Sequence, residues 1–123
     1  MILLKELFTT KDLAFKATAV AGYPLITVVD NFRVYKGANI TGFPLYTIIG
    51  NKLFKGASVS GAPLVTLVGD LLFSGYSVKG VPLARIQGQL AFKGVQTAGI
   101  PLVTVPSKNI GTLVAATYHA LQS

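Results

Sequence analysis

The chain contains no cysteine and only one histidine, His119, among its 123 residues. The first absence excludes disulfide bonds, thiolate metal sites and thiol nucleophiles, and the second leaves one imidazole for acid-base or metal chemistry. Four acids are present, in an end segment or in predicted turns, where carboxylates commonly serve as caps and turn formers: Glu6, Asp12, Asp30 and Asp70. We therefore predict that the protein is not an enzyme and holds no cofactor or metal ion. The weaker alternative is an enzyme with His119 as its general base.

Long apolar runs are also absent, although 51% of the residues are hydrophobic. Gly, Pro, Lys or Thr interrupts every run before it reaches the roughly 18 apolar residues that a membrane-spanning helix needs. Lys5, Glu6, Lys11 and Asp12 stand where a signal peptide would have its apolar segment, so no Sec-type signal is expected. This pattern predicts cytoplasmic synthesis, with assembly into a virion or another large particle as one destination.

Charged residues make up only 12% of the chain, about half the usual share. Eleven Lys and Arg against four acids give a formal net charge of +7. Such a surplus attracts anionic partners, such as nucleic acid, acidic polysaccharide, lipid head groups or an acidic protein. It also keeps a protein with an apolar surface from associating with itself. Both interpretations of the charge stay open.

Repetition is the main positive feature of the sequence. The phrase Gly-x-Pro-Leu occurs five times, with spacings of 20, 19, 19 and 19 residues, and a regular period of this size is typical of repeat architectures. Terminal copies of a repeat are expected to be atypical because they cap an exposed core. The chain is thus predicted to be one domain, residues 1–123, with repeats at 22–41, 42–60, 61–79 and 80–98 between degenerate caps at 1–21 and 99–123.

Each repeat is predicted to be a β-hairpin, because its two halves are rich in β-branched and aromatic residues. The pairs Gly50-Asn51, Gly69-Asp70 and Gly88-Gln89 separate the halves, and Gly in the first central position suits a type II′ turn. The first repeat places its extra residue in the turn Asp30-Asn31-Phe32, where it leaves the strand faces unchanged. The predicted fold is all-β, an antiparallel meander of 19-residue hairpins that closes into a barrel or prism-like shape. A β-solenoid is the alternative, and residues 112–121 are predicted to form a short helix.

Both faces of the predicted strands are apolar. In one strand Tyr46 and Ile48 point to one side while Leu45, Thr47 and Ile49 point to the other. Strands that face water on one side alternate more cleanly than this. We therefore expect one face to fill the core and the other to contact copies of the same protein. The residues chosen for this assembly surface are Ile48, Leu53, Leu67 and Ile86.

A lysine follows the aromatic residue in most repeats. These lysines are Lys16, Lys36, Lys55 and Lys93, and Ser74 interrupts the series. They form either a repeated row of cations that binds a polyanion or a solvated row that discourages edge pairing. Lys52, Lys79 and Arg33 would extend the charged surface. The aromatic residues Tyr35, Phe54, Phe73 and Phe92 are predicted to be core, with the following glycine leaving room for the ring.

Two functions follow from these patterns. The leading hypothesis is a non-enzymatic structural protein that assembles with itself, through apolar strand faces, into an oligomer, a filament or a component of a virus-like particle. The alternative is a binding module whose lysine row recognises an anionic polymer, a glycan or an acidic protein.

Overall fold

Ten short antiparallel strands and one helix form the described part of the molecule. The computed structural model describes residues 10–76 and 78–122, so Lys5 and Glu6, on which the export prediction partly depends, lie outside it. The elements are β1 (Lys11–Lys16), β2 (Ile26–Val29), β3 (Arg33–Lys36), β4 (Tyr46–Ile49), β5 (Lys52–Lys55), β6 (Val65–Val68), β7 (Leu71–Ser74), β8 (Ala84–Gln87), β9 (Leu90–Lys93), β10 (Val103–Thr104) and α1 (Ile110–Gln122). Sequential strands pair, and β1 also pairs with β10, so the sheet is closed. The predicted hairpin meander that closes into a barrel is confirmed, and so is the C-terminal helix.

The hairpin turns have the predicted chemistry. Gly50 has a positive φ of 59° and Asn51 does not, while Ile49 pairs with Lys52 across the turn. Positive φ at the first central position only is the pattern of a type II′ turn. In the first full repeat a three-residue turn links the paired Val29 and Arg33, so the extra residue lies in the turn and leaves the strand register intact.

A fifth repeat unit is formed from the two ends of the described chain. Thr104 of β10 pairs with Phe15 of β1, just as Thr66 pairs with Phe73 within one hairpin. A closed ring has no free strand edges. The strands β1 and β10, which lie in the two predicted terminal caps, are therefore the two halves of one divided repeat.

The helix α1 lies inside the barrel. It contacts β1, β9 and β10 on one side of the ring and β4 and β5 on the other. The six residues from Thr112 to Thr117 are all buried, as expected for a helix surrounded by protein on every side. Around it pack inward-facing strand residues, among them Ile26, Leu53 and Val103. No helix in residues 10–76 and 78–122 is long and apolar enough to cross a bilayer.

Part of the outer face of the barrel is covered by the same chain. Tyr35 and Phe54 alternate along their strands with inward-facing core residues and therefore point outward, yet both rings are buried. Only the loops between hairpins remain, within the described chain, to cover this face. The threonine clamps hold these loops: each threonine hydroxyl donates, at 2.6 to 2.7 Å, to the first carbonyl of a loop, in the pairs Thr27–Gly37, Thr47–Gly56, Thr66–Gly75 and Thr104–Ala17. A single chain thus buries the lumen and the outward-facing rings, while outward-facing residues near the hairpin turns, such as Ile49 and Val68, stay exposed. Contact of this face with copies of the same protein stays a prediction.

Candidate functional site

The five loops that connect successive hairpins lie at one end of the barrel, because a meander places its hairpin turns at the other end. We call these the loop end and the turn end. The C-terminal part of α1 reaches the loop end, where His119 and Ala120 share a cleft with Leu25 and Pro101. The five loops are residues 17–25, 37–45, 56–64, 75–83 (Ser77 is not described) and 94–102.

The loops expose large apolar side chains at the position between glycine and proline. Tyr23 is 80% exposed, Phe43 94%, Val81 91% and Ile100 83%. The residue before a proline must be extended, and most residue types adopt this conformation. A hydrophobic side chain at this position is therefore not needed to form the turn. Clustered apolar groups left in water mark contact surfaces. The recurrence of a large apolar residue at this position in four of the five copies was the sequence signal for this surface, and the prediction missed it.

A ring of lysines surrounds the mouth of the barrel at the loop end. Each lysine is the last residue of its strand and shares the inward face with the core residue two positions earlier, as Lys36 does with Val34. All four lysines are exposed, and two of them, Lys16 and Lys36, line a cleft with His119 and Ala120 near the C-terminal end of α1. The carbonyls of a helix C-terminus carry a partial negative charge that cations stabilise. The lysine ring consists of Lys16, Lys36, Lys55 and Lys93, with Ser74 at the fifth position.

The acids of the described chain lie away from the lysine ring. Asp12 is next to the start of α1 and accepts hydrogen bonds from Ser107 and Thr112. The other two occupy hairpin turns, with Asp30 3.0 Å from Arg33 and Asp70 3.6 Å from Arg85. These are the only ion pairs among the described residues. Of the additional cations predicted for an anion surface, Lys79 lies in a loop of the loop end, whereas Lys52 and Arg33 adjoin hairpin turns at the turn end.

A cleft of about 680 Å³ opens between the end of α1 and two of the five loops. Its polar groups come from Lys16, Lys36 and His119, and its remaining lining is mostly apolar. Below it, the hydroxyl of Tyr46 lies 2.9 Å from Nδ1 of His119, and the ring of Tyr118 packs edge-on against Tyr46 with centroids 5.5 Å apart. The cleft therefore joins cationic and apolar groups over a fixed aromatic cluster.

The imidazole of His119 is held neutral by its surroundings. Burial, together with the positive charge of Lys36, lowers the pKa of His119. The nearby helix C-terminus would by itself favour the imidazolium, but burial and Lys36 outweigh it. Burial and the neighbouring Tyr118 raise the pKa of Tyr46, so its hydroxyl stays protonated while it shares a hydrogen bond with Nδ1 of His119.

The residues predicted to form an assembly surface lie in the interior instead. Ile48, Leu53, Leu67 and Ile86 are at most 7% exposed and belong to the core around α1. Their strand positions face the barrel lumen, which the sequence pattern could not distinguish from an outer surface because both faces are apolar. These four side chains cannot contact a neighbouring molecule, so self-assembly stays a prediction that needs other residues.

Metal binding has no candidate in the described part of the chain, where no group of three or more His, Asp or Glu could hold an ion. Comparison with family models, with curated proteins and with solved structures finds no match to the chain. The loop end, with its exposed apolar residues, its lysine ring and its cleft, is the basis of the function proposed next.

Proposed function

We propose that the protein is a non-enzymatic binding module that docks through its loop end on the surface of an anionic lipid bilayer. One observation carries this proposal: exposed loop side chains such as Phe43 and Val81 share an end of the barrel with the lysine ring, and no described acid lies there. Peripheral membrane proteins combine apolar groups that enter the head-group boundary with cations that attract anionic lipids. Aromatic side chains such as Tyr23 suit this boundary because one end of the ring is polar.

Charge favours an external anionic surface over a second copy of the chain. Two loop ends placed face to face would bring two lysine rings together, and like charges across an interface oppose association. The turn end is a poor complement because Asp30 and Asp70 already neighbour Arg33 and Arg85. The carboxylate of Asp12 likewise accepts two hydroxyl hydrogen bonds within its own chain.

The arrangement of cations favours a surface over a linear polymer. In the closed barrel the lysines stand around a mouth, whereas a polyanion is followed best by cations along a groove. The apolar loop tips also have no counterpart in an acidic polysaccharide. The anionic polymer predicted from the sequence as an alternative ligand is therefore compared with the bilayer in the experiments below.

Flotation with vesicles of phosphatidylcholine, with and without phosphatidylglycerol, tests the proposal. We expect binding only to the anionic vesicles, with weakening at high salt. Because each lysine near an anionic surface contributes about 1 kcal/mol, Lys55→Gln with Lys93→Gln lowers the affinity about 30-fold. The matched control, Lys52→Gln at the turn end, changes it less than about threefold.

The apolar contribution is tested in the same assay. Phe43→Ser with Val81→Ser removes two exposed loop side chains and is expected to lower vesicle affinity at least about tenfold. Val68→Ser, at an exposed apolar position of the turn end, serves as the control and leaves binding unchanged. Retention on an anionic polysaccharide without binding to anionic vesicles overturns the bilayer proposal in favour of the polymer.

Self-assembly is the second candidate, and the exposure of Phe43 and Val81 in a single chain is what favours it. Native mass measurement distinguishes it. Oligomers that persist at high salt and dissociate in the Phe43→Ser, Val81→Ser variant support assembly through the loop end, whereas a monomer at every salt concentration excludes it.

A further inference from the structure

We propose that the loop-end cleft is a binding site for a single amphipathic carboxylate, a fatty-acid-like molecule whose head group lies between Lys16 and Lys36 and whose tail contacts Leu25, Ile100 and Leu102. The site goes beyond bilayer docking, since it concerns one molecule in one cleft and involves only two lysines of the ring.

The size and lining of the cleft fit such a ligand. Its volume of about 680 Å³ lies within the range of roughly 300 to 1,000 Å³ typical of small-molecule sites, which are mainly apolar with a few placed polar groups. Leu25 and Leu102 are partly buried and pack on the core, so one wall is fixed by the barrel. Ile100 forms an exposed rim.

A second cleft of about 430 Å³ adjoins the first and shares Leu25, Lys36 and His119 with it. Lys36 thus stands where the two clefts meet, and a ligand can lie on either side of it. Tyr23 and Asn39 line the second cleft, which gives room for a longer tail or a larger head group.

The two lysines of the cleft, Lys16 and Lys36, favour an anionic ligand. Among the described residues, the acids form ion pairs with Arg33 and Arg85 only. No described acid therefore forms an ion pair with Lys16 or Lys36. Lys36 and His119 line the same cleft. Burial, and then the repulsion between Lys36 and a protonated imidazole, lower the pKa of His119. A carboxylate between the two lysines would offset that repulsion and move the pKa of His119 upward.

Calorimetric titration with decanoate below its micelle concentration, in the absence of vesicles, tests the site on the whole protein. Decanoate is expected to bind, and decanol, of equal chain length and no charge, at least about tenfold more weakly. Lys16→Gln with Lys36→Gln is expected to reduce decanoate affinity at least about tenfold. Lys55→Gln with Lys93→Gln, at equivalent ring positions outside the cleft lining, changes it less than about twofold.

A matched pair of loop variants tests the apolar part. Ile100 and Val81 occupy the same position of the repeat and are similarly exposed, but only Ile100 lines the cleft. Ile100→Ser is therefore expected to weaken decanoate binding about fivefold or more, while Val81→Ser leaves it unchanged. An independent readout is the His119 imidazole titration by NMR, whose midpoint moves to higher pH when decanoate is bound.

Several outcomes overturn the inference. Equal affinity for decanol and decanoate, or equal losses in the two lysine pairs, means that the cleft lysines do not recognise a head group. Binding to anionic vesicles without binding to free decanoate identifies the bilayer surface as the source of the anion and leaves docking without a ligand site. Decanoate binding without vesicle binding confirms the cleft and overturns the docking proposal alone.

Discussion

The hydroxyl of Thr112 donates a hydrogen bond of 2.6 Å to Oδ2 of Asp12, joining the first turn of the lumen helix to the first strand of the barrel. Ser107 donates to the same oxygen at 2.7 Å, and Asn109 accepts from the backbone N–H of Thr112 as an N-cap. No acid lies in the first turn of α1 itself. Asp12 therefore supplies, from another element, the negative charge that a helix N-terminus favours.

Two buried threonines of α1 give a matched test of this anchor. Thr112→Val removes the bond to Asp12 and is expected to lower the free energy of unfolding by about 1.5 to 3 kcal/mol. Thr117 is equally buried, but its hydroxyl has no hydrogen-bond partner among the described residues. Thr117→Val should therefore raise stability by about 1 kcal/mol. Urea unfolding of both variants measures the opposite signs, and destabilisation by Thr117→Val would show that its hydroxyl is satisfied.

The threonine clamps of the outer face are a second point of prediction. Thr66→Val keeps the side-chain shape but leaves the carbonyl of Gly75 without its donor, so we expect a loss of about 1 to 2 kcal/mol. The fourth unit has Arg85 instead, whose guanidinium reaches Val95 at 3.3 Å. Arg85→Thr restores the clamp residue and loses an ion pair with an exposed acid and the exposed hydrogen bond to the carbonyl of Val95, so stability should stay equal or rise by up to about 1 kcal/mol. Thermal unfolding compares the two, and a clear loss in Arg85→Thr would contradict the equivalence of the units.

The period and the turn residues were enough to predict the hairpins and their meander. Gly50-Asn51 fixes a local turn, and local turns need no knowledge of distant parts of the chain. Closure into a barrel was predicted as well, but the strands that close it were not, because the pairing of Phe15 with Thr104 joins residues far apart in sequence. The direction in which each strand residue points also could not be predicted from local sequence. Ile48 faces α1 and Thr47 faces the loops, yet both are buried.

The candidate site was predicted only in part. The lysines were found because they recur at a fixed place in the repeat, and the closed barrel turns that recurrence into a ring. The cleft depends on where α1 ends, and its partner Tyr46 lies 73 positions before His119 in the chain. No spacing rule links these two residues. Their contact follows from the helix lying inside the barrel, which the sequence did not reveal.

Positive φ angles provide a third prediction. Ala17 has a φ of 55° at the position where the other units have glycine, such as Gly56 with a φ of 61°. A side chain in this region costs about 1 to 2 kcal/mol, partly offset by the larger unfolded-state entropy of glycine. Ala17→Gly should stabilise by about 0.5 to 1 kcal/mol, and Gly56→Ala should destabilise by a similar amount. An added Cβ at Gly56 meets nothing within 4 Å, so backbone strain alone accounts for the effect that urea unfolding measures.

The lowered pKa of His119 predicts a dependence of stability on pH. In the unfolded chain the imidazole gains its proton as pH falls through about 6.5, while in the folded protein burial and Lys36 keep it neutral to lower pH. The unfolded state therefore binds more protons in this window, so stability falls as pH is lowered and levels off below the folded pKa. Urea midpoints at about pH 7.5 and about pH 5.5 should differ in the parent protein, and the difference should shrink in His119→Gln. Because Gln does not titrate and retains a hydrogen-bonding group for the hydroxyl of Tyr46, an unchanged difference would assign the effect to other groups.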